Sequence, residues 1–283
     1  MKILMTGSHG FVGTCLIEML SDQHEIIRWN VKSDEKLPDC DAVIHLAGKA
    51  HDMKNTTFED EYFNVNTELT KKIYNAFLKS KARMFIFFST IKAQDNDTPY
   101  ARSKKAAEDH IISKKEELRD KSCYILRPCM IHGKGVKGNL PLLFNFVKRG
   151  WPWPLAAFEN QRSYASIGNV SFVVNELLKK DVESGIYNLC DDESVSTNEL
   201  IRLMSESLSI EPKMISLPRI VVRLGAKIGD SLHLPLNTER LRKLTENNVI
   251  DNSEIKKVLG ISHMPIKALD GLKVSIRGLL RND

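Results

Sequence analysis

The chain has 283 residues, of which 42% are hydrophobic, so it can bury a sizeable core, and this excludes a disordered tail, a collagen-like repeat and a disulfide-stapled miniprotein. Its 41 Lys and Arg residues exceed its 36 Asp and Glu residues, but basic and acidic residues alternate instead of forming the basic stripe typical of nucleic-acid binders. Five scattered cysteines without a C-x-x-C pair, no signal-peptide pattern and no apolar run of membrane-spanning length predict a cytoplasmic protein with no bound metal and no membrane association.

The first half of the chain alternates between predicted strands and helices. Strands are predicted at residues 2–5, 25–29, 41–46, 84–88 and 124–126. Helices are predicted from residue 11 to about 20 and at about 59–80, 99–118 and 140–149. Thr98 followed by Pro99 is typical of a helix start. This alternation predicts an α/β protein with a doubly wound, Rossmann-type parallel sheet.

The second half of the chain is less regular. Two prolines in residues 151–154 prevent regular structure there, and a helix near 168–180 and a strand at 186–189 are predicted to return to the sheet. Residues 191–283 are predicted to be mainly helical. We therefore predict a large domain over residues 1–165, with returns near 166–190, and a smaller interleaved lobe from about 133–160 and 191–283.

Three glycines lie between the first strand and the first helix. Gly7, Gly10 and Gly13 follow a G-x-x-G-x-x-G spacing, which permits a tight turn, backbone approach to a diphosphate and close packing of helix on strand. A plain strand-to-helix turn is the alternative. The position between a strand and a helix favours nucleotide binding.

The second predicted strand ends without the acidic residue that usually binds the adenosine ribose in a dinucleotide fold. It ends instead with Arg28, Asn30 and Lys32 close together. The two cations predict that the 2′-phosphate of NADPH is tolerated. Solvated surface charges are the equal alternative.

Tyr100 and Lys104 are spaced one helical turn apart, just after the strand at 84–88, which leads into Thr90. A tyrosine must lose roughly three pKa units, about 4 kcal/mol, to act as a general base at neutral pH, and a nearby lysine cation favours the phenolate. Thr90 would then hydrogen-bond the reacting oxygen, while Lys104 would also hold the nicotinamide ribose. An exposed Tyr–Lys pair beside a capping threonine is the alternative.

The chain resembles the extended short-chain dehydrogenase/reductase family of nucleotide-sugar epimerases, dehydratases and 4-ketoreductases. The matching segments keep the family's order: TGSHGFVG (6–13), DAVIHLAG (41–48), FNVNT (63–67), FIFFST (85–90), PYARSK (99–104), LRP (126–128) and RSY (162–164).

The resemblance implies a role for each matching residue. Thr90, Tyr100 and Lys104 would form the catalytic triad. The implied contacts to NAD or NADP are Gly7, Gly10, Phe11, Val12, Gly13, Leu46, Ala47, Gly48, Lys104 and Pro128, in addition to Arg28 and Asn30 above. A nucleotide-diphospho-sugar, with UDP as the expected nucleotide, would be held by the smaller lobe, and the implied contacts to it are Thr90, Tyr100, Asn139, Arg162 and Arg240. Arginine suits a diphosphate because its guanidinium group can donate two parallel hydrogen bonds. For Arg162, a surface salt bridge is the alternative.

Two reactions at sugar C4 fit the resemblance. Ile91 and Lys92 stand where the dehydratases carry an Asp–Glu pair, which disfavours dehydration. The similarity to the bacterial polysaccharide branch and the non-acidic second strand slightly favour a 4-ketoreductase over a UDP-sugar 4-epimerase that keeps its NAD bound.

Two non-catalytic classes remain as alternatives. A dinucleotide sensor or scaffold would keep the fold, but such proteins typically lack the Tyr–Lys pair. A nucleic-acid binder would need a steep salt dependence of RNA binding. The resemblance also implies a homodimer in which the helices near 59–80 and 99–118 form a four-helix bundle, although their apolar faces could equally pack on the sheet.

Overall fold

A computed structural model of the protein describes residues 1–30, 36–49, 58–95, 97–232 and 237–281. The chain forms two compact units. The first unit comprises residues 1–131, 167–190 and 251–265, and the second comprises residues 132–166, 191–250 and 266–283. The chain therefore passes from one unit to the other five times.

The first unit is built on a six-stranded sheet in which all neighbouring strands are parallel, in the order β2-β1-β3-β4-β5-β8. Its strands are β1 (Lys2–Thr6), β2 (Glu25–Arg28), β3 (Ala42–His45), β4 (Met84–Phe88), β5 (Ser122–Pro128) and β8 (Gly185–Leu189). The central strands are almost continuously buried, as expected for a parallel sheet covered on both faces. The predicted doubly wound α/β fold is confirmed.

Helices flank this sheet. They are α1 (Phe11–Leu20), α2 (Glu59–Tyr62), α3 (Leu69–Lys79), α4 (Pro99–Ser113), α6 (Ile167–Lys179) and α10 (Ser253–Leu259). A core cluster joins α3 and α4 to the sheet through large apolar side chains that include Tyr74, Phe77, Phe85, Phe87 and Ile111. Burial of these side chains fixes the position of α4 on the sheet.

Two predicted helices differ in detail from the structure. The predicted helix at 59–80 consists of α2, a π-helical segment at Phe63–Glu68, and α3. The helix from Pro99 ends at Ser113 instead of about 118, because Lys114 leaves the helical conformation before a short 3₁₀ turn at Lys115–Glu117. Its start is as predicted, since the Thr98 hydroxyl accepts a hydrogen bond from the Ala101 amide at 3.2 Å.

The second unit is mainly helical. It contains α5 (Asn139–Lys148), α7 (Thr197–Ser207), α8 (Arg219–Leu232), α9 (Thr238–Thr245) and α11 (Ala268–Leu280), together with β7 (Arg162–Ser166) and β9 (Ser194–Val195). The short strand β6 (Met130–His132) lies where the chain first passes into this unit. Strand β7 was not predicted, and it pairs with β9 in antiparallel orientation.

Two segments fall in units other than those expected from the sequence. Residues 161–165, expected in the large domain, belong to the second unit because β7 pairs there with β9. Residues 251–265, expected in the smaller lobe, belong to the first unit because α10 contacts β8. Among the described residues, no helix is both long and apolar enough to cross a membrane.

Candidate active site

The glycine-rich turn after β1 is closely packed. Gly7 has a φ of +66°, and a Cβ atom there would lie 2.6 Å from the Ala47 amide nitrogen. A Cβ atom at Gly13 would lie 2.4 Å from the Gly7 carbonyl oxygen. Gly10 precedes α1, and no side chain caps the amino end of this helix. A tight glycine-rich turn beside uncapped helical N–H groups fits the diphosphate of a dinucleotide.

The loop after β3 lies beside this turn. The Ala47 amide donates a hydrogen bond to the Thr6 hydroxyl at 3.2 Å, which ties the ends of β1 and β3 together. A Cβ atom at Gly48 would lie 3.1 Å from Lys104 Nζ. The structure thus brings the predicted cofactor residues of the first turn and of residues 46–48 to the same edge of the sheet as Lys104.

The other predicted cofactor residues lie at the ends of two further strands. Arg28 ends β2 and is exposed, as is Asn30, while Pro128 ends β5 and is buried. Because all strands of this sheet are parallel, their carboxyl ends share one edge with the glycine-rich turn. Lys32 lies outside the described residues.

The three predicted catalytic residues meet where β4 approaches α4. Thr90 follows β4, and its side chain is close enough to that of Tyr100, in the first turn of α4, to act on the pKa of that phenol. Lys104 is 4% exposed, and its Nζ donates a hydrogen bond to the Phe88 carbonyl oxygen at 2.8 Å. Its ammonium group also lies 4.7 Å from the centre of the Phe87 ring.

The protonation of Tyr100 and Lys104 follows from their burial. Burial raises the pKa of Tyr100 to about 12, the interaction with Thr90 acts in the opposite direction, and the neighbouring Tyr62 raises it further. Burial lowers the pKa of Lys104 to about 8, and the carboxylate of Glu108 opposes this. At neutral pH Tyr100 therefore carries its proton and Lys104 its charge. In the protein alone, the predicted lowering of the Tyr100 pKa is not seen.

A buried ion pair that was not predicted from the sequence lies next to this triad. Glu108 is fully buried on α4, and its Oε1 accepts a hydrogen bond from Arg127 Nε at 2.9 Å, while Oε2 accepts from Arg127 Nη2. The Ser89 hydroxyl also donates to Glu108. Arg127 stands in the LRP segment and Ser89 precedes Thr90, so the only sequence signal was a glutamate one turn after Lys104.

A second missed residue is Asn66, which lies in the π-helical segment and is fully buried. Its Oδ1 accepts a hydrogen bond from the Lys49 amide at 2.7 Å, and its Nδ2 donates to the Ser103 hydroxyl at 2.9 Å. Asn66 therefore fixes the loop after β3 against α4, next to Lys104. π-Helical turns are frequent at functional sites, and the FNVNT segment was the available signal.

The remaining predicted substrate residues lie in the second unit. Asn139 begins α5, and Arg240 lies on the exposed side of α9. Arg162 begins β7, and its Nη1 donates a hydrogen bond to the carbonyl oxygen of Lys243 on α9. The contact of Arg162 with a substrate diphosphate stays a prediction, and the alternative role, a surface salt bridge, is not the contact seen here, since the side chain is bound to a backbone carbonyl.

The side chain of His45 is held by two hydrogen bonds, and the five cysteines are unpaired. His45 is fully buried, with Nδ1 at 2.6 Å from the Thr6 hydroxyl and Nε2 at 2.9 Å from the Thr70 hydroxyl. No cysteine forms a disulfide. In the part of the chain that the structure describes, no cluster of three or more His, Cys, Asp or Glu residues could hold a metal ion.

Sequence comparison relates the chain to known enzymes. The profile of the NAD dependent epimerase/dehydratase family matches residues 3–190. A Vibrio cholerae UDP-glucose 4-epimerase is 27% identical over 92% of this chain and 90% of its own length. An Escherichia coli O157:H7 N-acetyl-alpha-D-glucosaminyl-diphospho-ditrans,octacis-undecaprenol 4-epimerase is 26% identical over 82% and 80%, respectively. A Pseudomonas aeruginosa UDP-2-acetamido-2,6-beta-L-arabino-hexul-4-ose reductase is 32% identical, but over only 49% and 38%.

Structure comparison agrees at the level of the fold. The crystal structure of a UDP-glucuronic acid 4-epimerase from Bacillus cereus in complex with NAD superposes with a TM-score of 0.76, covering 99% of both chains at 17% identity.

Proposed function

Since the chain belongs to the NAD dependent epimerase/dehydratase family, we propose that it is an enzyme that catalyses NAD(P)-dependent oxidoreduction at C4 of a nucleotide-diphospho-sugar, as a 4-ketoreductase rather than a 4-epimerase. The observation that carries the proposal is the grouping of Thr90, Tyr100 and Lys104 at the sheet edge that also holds the glycine-rich turn. The relatives include both epimerases and a reductase.

Each residue of the triad has a role in this reaction. When bound, reduced NAD(P) supplies the hydride for the C4 ketone, and the oxidised form accepts one in the reverse direction. Tyr100 donates its phenolic proton to the ketone oxygen. Because its pKa is raised, Tyr100 carries this proton at neutral pH. Thr90 donates a hydrogen bond to the same oxygen. The charge of Lys104 stabilises the phenolate that remains.

The substrate is proposed to be bound through its diphosphate. In the second unit, Arg162 and Arg240 are proposed to bind the diphosphate, together with Asn139 at the start of α5. UDP is the expected carrier. The name of the Escherichia coli relative describes a sugar joined through a diphosphate to a polyprenol, and this makes a polyprenyl-diphosphate sugar the second candidate.

Cofactor consumption separates the two reactions. Purified protein would be mixed with NADH or NADPH and UDP- or dTDP-4-keto sugars, and the reduced-nicotinamide absorbance would be followed. We expect stoichiometric loss of NADPH, because Arg28 at the end of β2 tolerates a 2′-phosphate. Interconversion of UDP-sugars without net loss would show an epimerase, and strong preference for NADH would refute the NADPH expectation.

Replacing Tyr100 tests the triad. We expect Tyr100→Phe to lower kcat by about 10²-fold or more, because the proton donor is lost while the ring stays. Tyr62→Phe is the matched control, since that ring lies 6.3 Å from the Tyr100 ring. Unchanged turnover in Tyr100→Phe would revive the dinucleotide sensor or scaffold.

The location and the oligomeric state of the protein are also proposed. We place the protein in the cytoplasm because its cysteines are unpaired. The homodimer through α3 and α4 would use surfaces other than Ile73, Phe77 and Ile111, since these side chains are buried against the sheet. Sedimentation velocity of the purified protein decides between monomer and dimer.

A further inference from the structure

Helix α8 of the second unit has two apolar faces. Its inner face is buried and consists of small or β-branched residues: Val222, Ala226 and Gly229. On the opposite side lie five large apolar side chains, here called the outer stripe: Ile220, Val221, Leu224, Ile228 and Leu232. Each is between 56% and 73% exposed. At 100° per residue they occupy an arc of about 120° that points away from the inner face.

A row of cations runs along one edge of the outer stripe. Arg219, Arg223 and Lys227 follow one another at four-residue intervals, so they lie on one side of the helix. Arg219 Nε donates a hydrogen bond to the Ala157 carbonyl oxygen at 3.0 Å. Arg223 and Lys227 take part in none of the ion pairs formed among the described residues.

The single carboxylate of α8, that of Asp230, lies on the side of the cation row, and with three cations on the same helix it leaves α8 a net charge of +2. Asp230 accepts hydrogen bonds from the backbone amide of Thr238, at 2.9 Å, and from its hydroxyl. The exposed side of α8 therefore combines an apolar stripe with positive charge that the helix itself does not neutralise.

We propose that the outer stripe of α8 docks the protein on an anionic lipid surface, with the helix lying in the plane of the membrane. This proposal does not depend on the proposed function. A helix of 14 residues is about 21 Å long, too short to span the hydrocarbon layer, but an apolar face with cations beside it suits the boundary between acyl chains and headgroups. The side chains of the outer stripe would lie among the acyl chains, and Arg223 and Lys227 would bind lipid phosphates.

Charge favours a lipid surface over a second copy of this chain. Two α8 helices packed through their outer stripes would bring six cations together with only two carboxylates, so like charges would repel. An anionic bilayer supplies negative charge at the level of the cation row, and basic residues near such a surface are attracted to it. The apolar stripe and the cation row are thus both satisfied by one partner.

The test measures co-sedimentation of the full chain with vesicles. We expect binding to vesicles of phosphatidylcholine and phosphatidylglycerol at about 3:1, and much weaker binding to phosphatidylcholine alone or at high salt. The triple variant Ile220→Gln, Leu224→Gln, Ile228→Gln should bind at least about tenfold more weakly. Arg223→Gln with Lys227→Gln should lose about tenfold or more on anionic vesicles only.

A matched control changes apolar side chains of similar exposure on other helices of the second unit. Leu142→Gln with Val274→Gln, at positions 54% and 55% exposed, should bind as the unchanged protein does. Circular dichroism of each variant verifies folding. The proposal is overturned if the unchanged protein does not bind anionic vesicles, or if the triple variant binds equally well. It is also overturned if the triple variant turns a dimer into a monomer in sedimentation velocity while vesicle binding is unaffected.

Discussion

The carboxylate of Glu108 sets the charge of Lys104 near neutral pH. Lys104 is buried, and burial alone favours the neutral amine, which has lost its attraction for the phenolate of Tyr100. Glu108 acts in the opposite direction, and Arg127 and Ser89 hold its two oxygens in place. Glu108 therefore acts through Lys104 and is a positioning residue in this site.

Glu108→Gln should narrow the pH range of activity. The Lys104 pKa of about 8 is already below that of an ordinary lysine, so its charge is lost as the pH rises through that value. Removing the carboxylate lowers this pKa further, and the alkaline limb of kcat should move to lower pH. The measurement is kcat against pH, with Glu108→Asp expected to restore part of the range.

The neighbouring Asp109 supplies the control for this variant. Asp109 is exposed and pairs with Lys105 on the outside of α4, so Asp109→Asn should leave the pH profile unchanged. An alkaline limb that stays in place in Glu108→Gln would show that Glu108 has only a structural role.

The triad residues were predictable at this scale, but Glu108 was not. Thr90, Tyr100 and Lys104 stand just after a predicted strand and at the start of the next predicted helix, so the sequence predicts that they lie close together. A glutamate four residues after a lysine indicates an exposed ion pair on a helix surface. Its burial depends on Arg127 and Ser89, which other strands supply, and single-helix periodicity does not contain that information.

Among the secondary-structure elements, β1, β3 and α3 are joined by the imidazole of His45. His45 bonds Thr6 of β1 through Nδ1 and Thr70 of α3 through Nε2. Burial lowers the pKa of His45 to about 3, and the charge of Lys104 contributes. The ring is therefore neutral in the folded protein at neutral pH, a state in which one ring nitrogen donates and the other accepts a hydrogen bond.

The folded protein should lose stability as the pH falls below about 6.5. Unfolded His45 takes up a proton there, whereas folded His45 does not until about pH 3, so unfolding is favoured by up to about 1.4 kcal/mol per pH unit. Between pH 6.5 and 5 this amounts to about 2 kcal/mol. Denaturant titrations at several pH values measure it.

His45→Asn isolates this contribution. The variant should be less stable at neutral pH, since one hydroxyl loses its partner, but its stability should depend less steeply on pH than that of the unchanged protein. His263→Asn, at an exposed position, should keep the full dependence. Equal slopes for His45→Asn and the unchanged protein would contradict the assignment.

The strands and most helices were predictable because short apolar runs indicate the strands, while apolar residues at helical spacing and the cap at Thr98 indicate the helices. The π-helical segment at Phe63–Glu68 was not, since the apolar residues of 59–80 keep helical spacing on both sides of it. Strand β7 was missed because its sequence, RSYAS, is largely polar, and its burial comes from pairing within the second unit.

In the whole molecule, the two units share the chain in alternating segments. The alternation of strands and helices predicted the first unit up to residue 131, but α10 is only seven residues long and its return to β8 leaves no local signal. The prediction of no membrane association stays a prediction. It rested on the lack of a spanning segment, and sequence spacing does not tell whether an apolar helix face, such as the outer stripe, is buried or exposed.

Ending the chain after residue 190 should therefore prevent folding, although all six strands of the parallel sheet are retained. Such a chain lacks α10 from the first unit and leaves residues 132–166 without β9, α7, α9 and α11. We expect it to aggregate on expression, whereas a chain ending at residue 281 should remain folded. Soluble yield and thermal unfolding by circular dichroism provide the comparison. Cooperative unfolding of the shorter chain at the original midpoint would refute this expectation.

Strand β2 affects how long a dinucleotide stays bound. It is the edge strand, only four residues long, and among the described residues no strand lies beyond it. The adenosine half of the dinucleotide would pack against this short strand, near the exposed Arg28 and Asn30. Among the described residues, β2 offers the adenosine half only this short surface, so we expect the dwell time of the cofactor to be short. A ketoreductase must release its oxidised cofactor after every turnover and benefits from a short dwell time, whereas an epimerase that recycles one bound dinucleotide needs a long one.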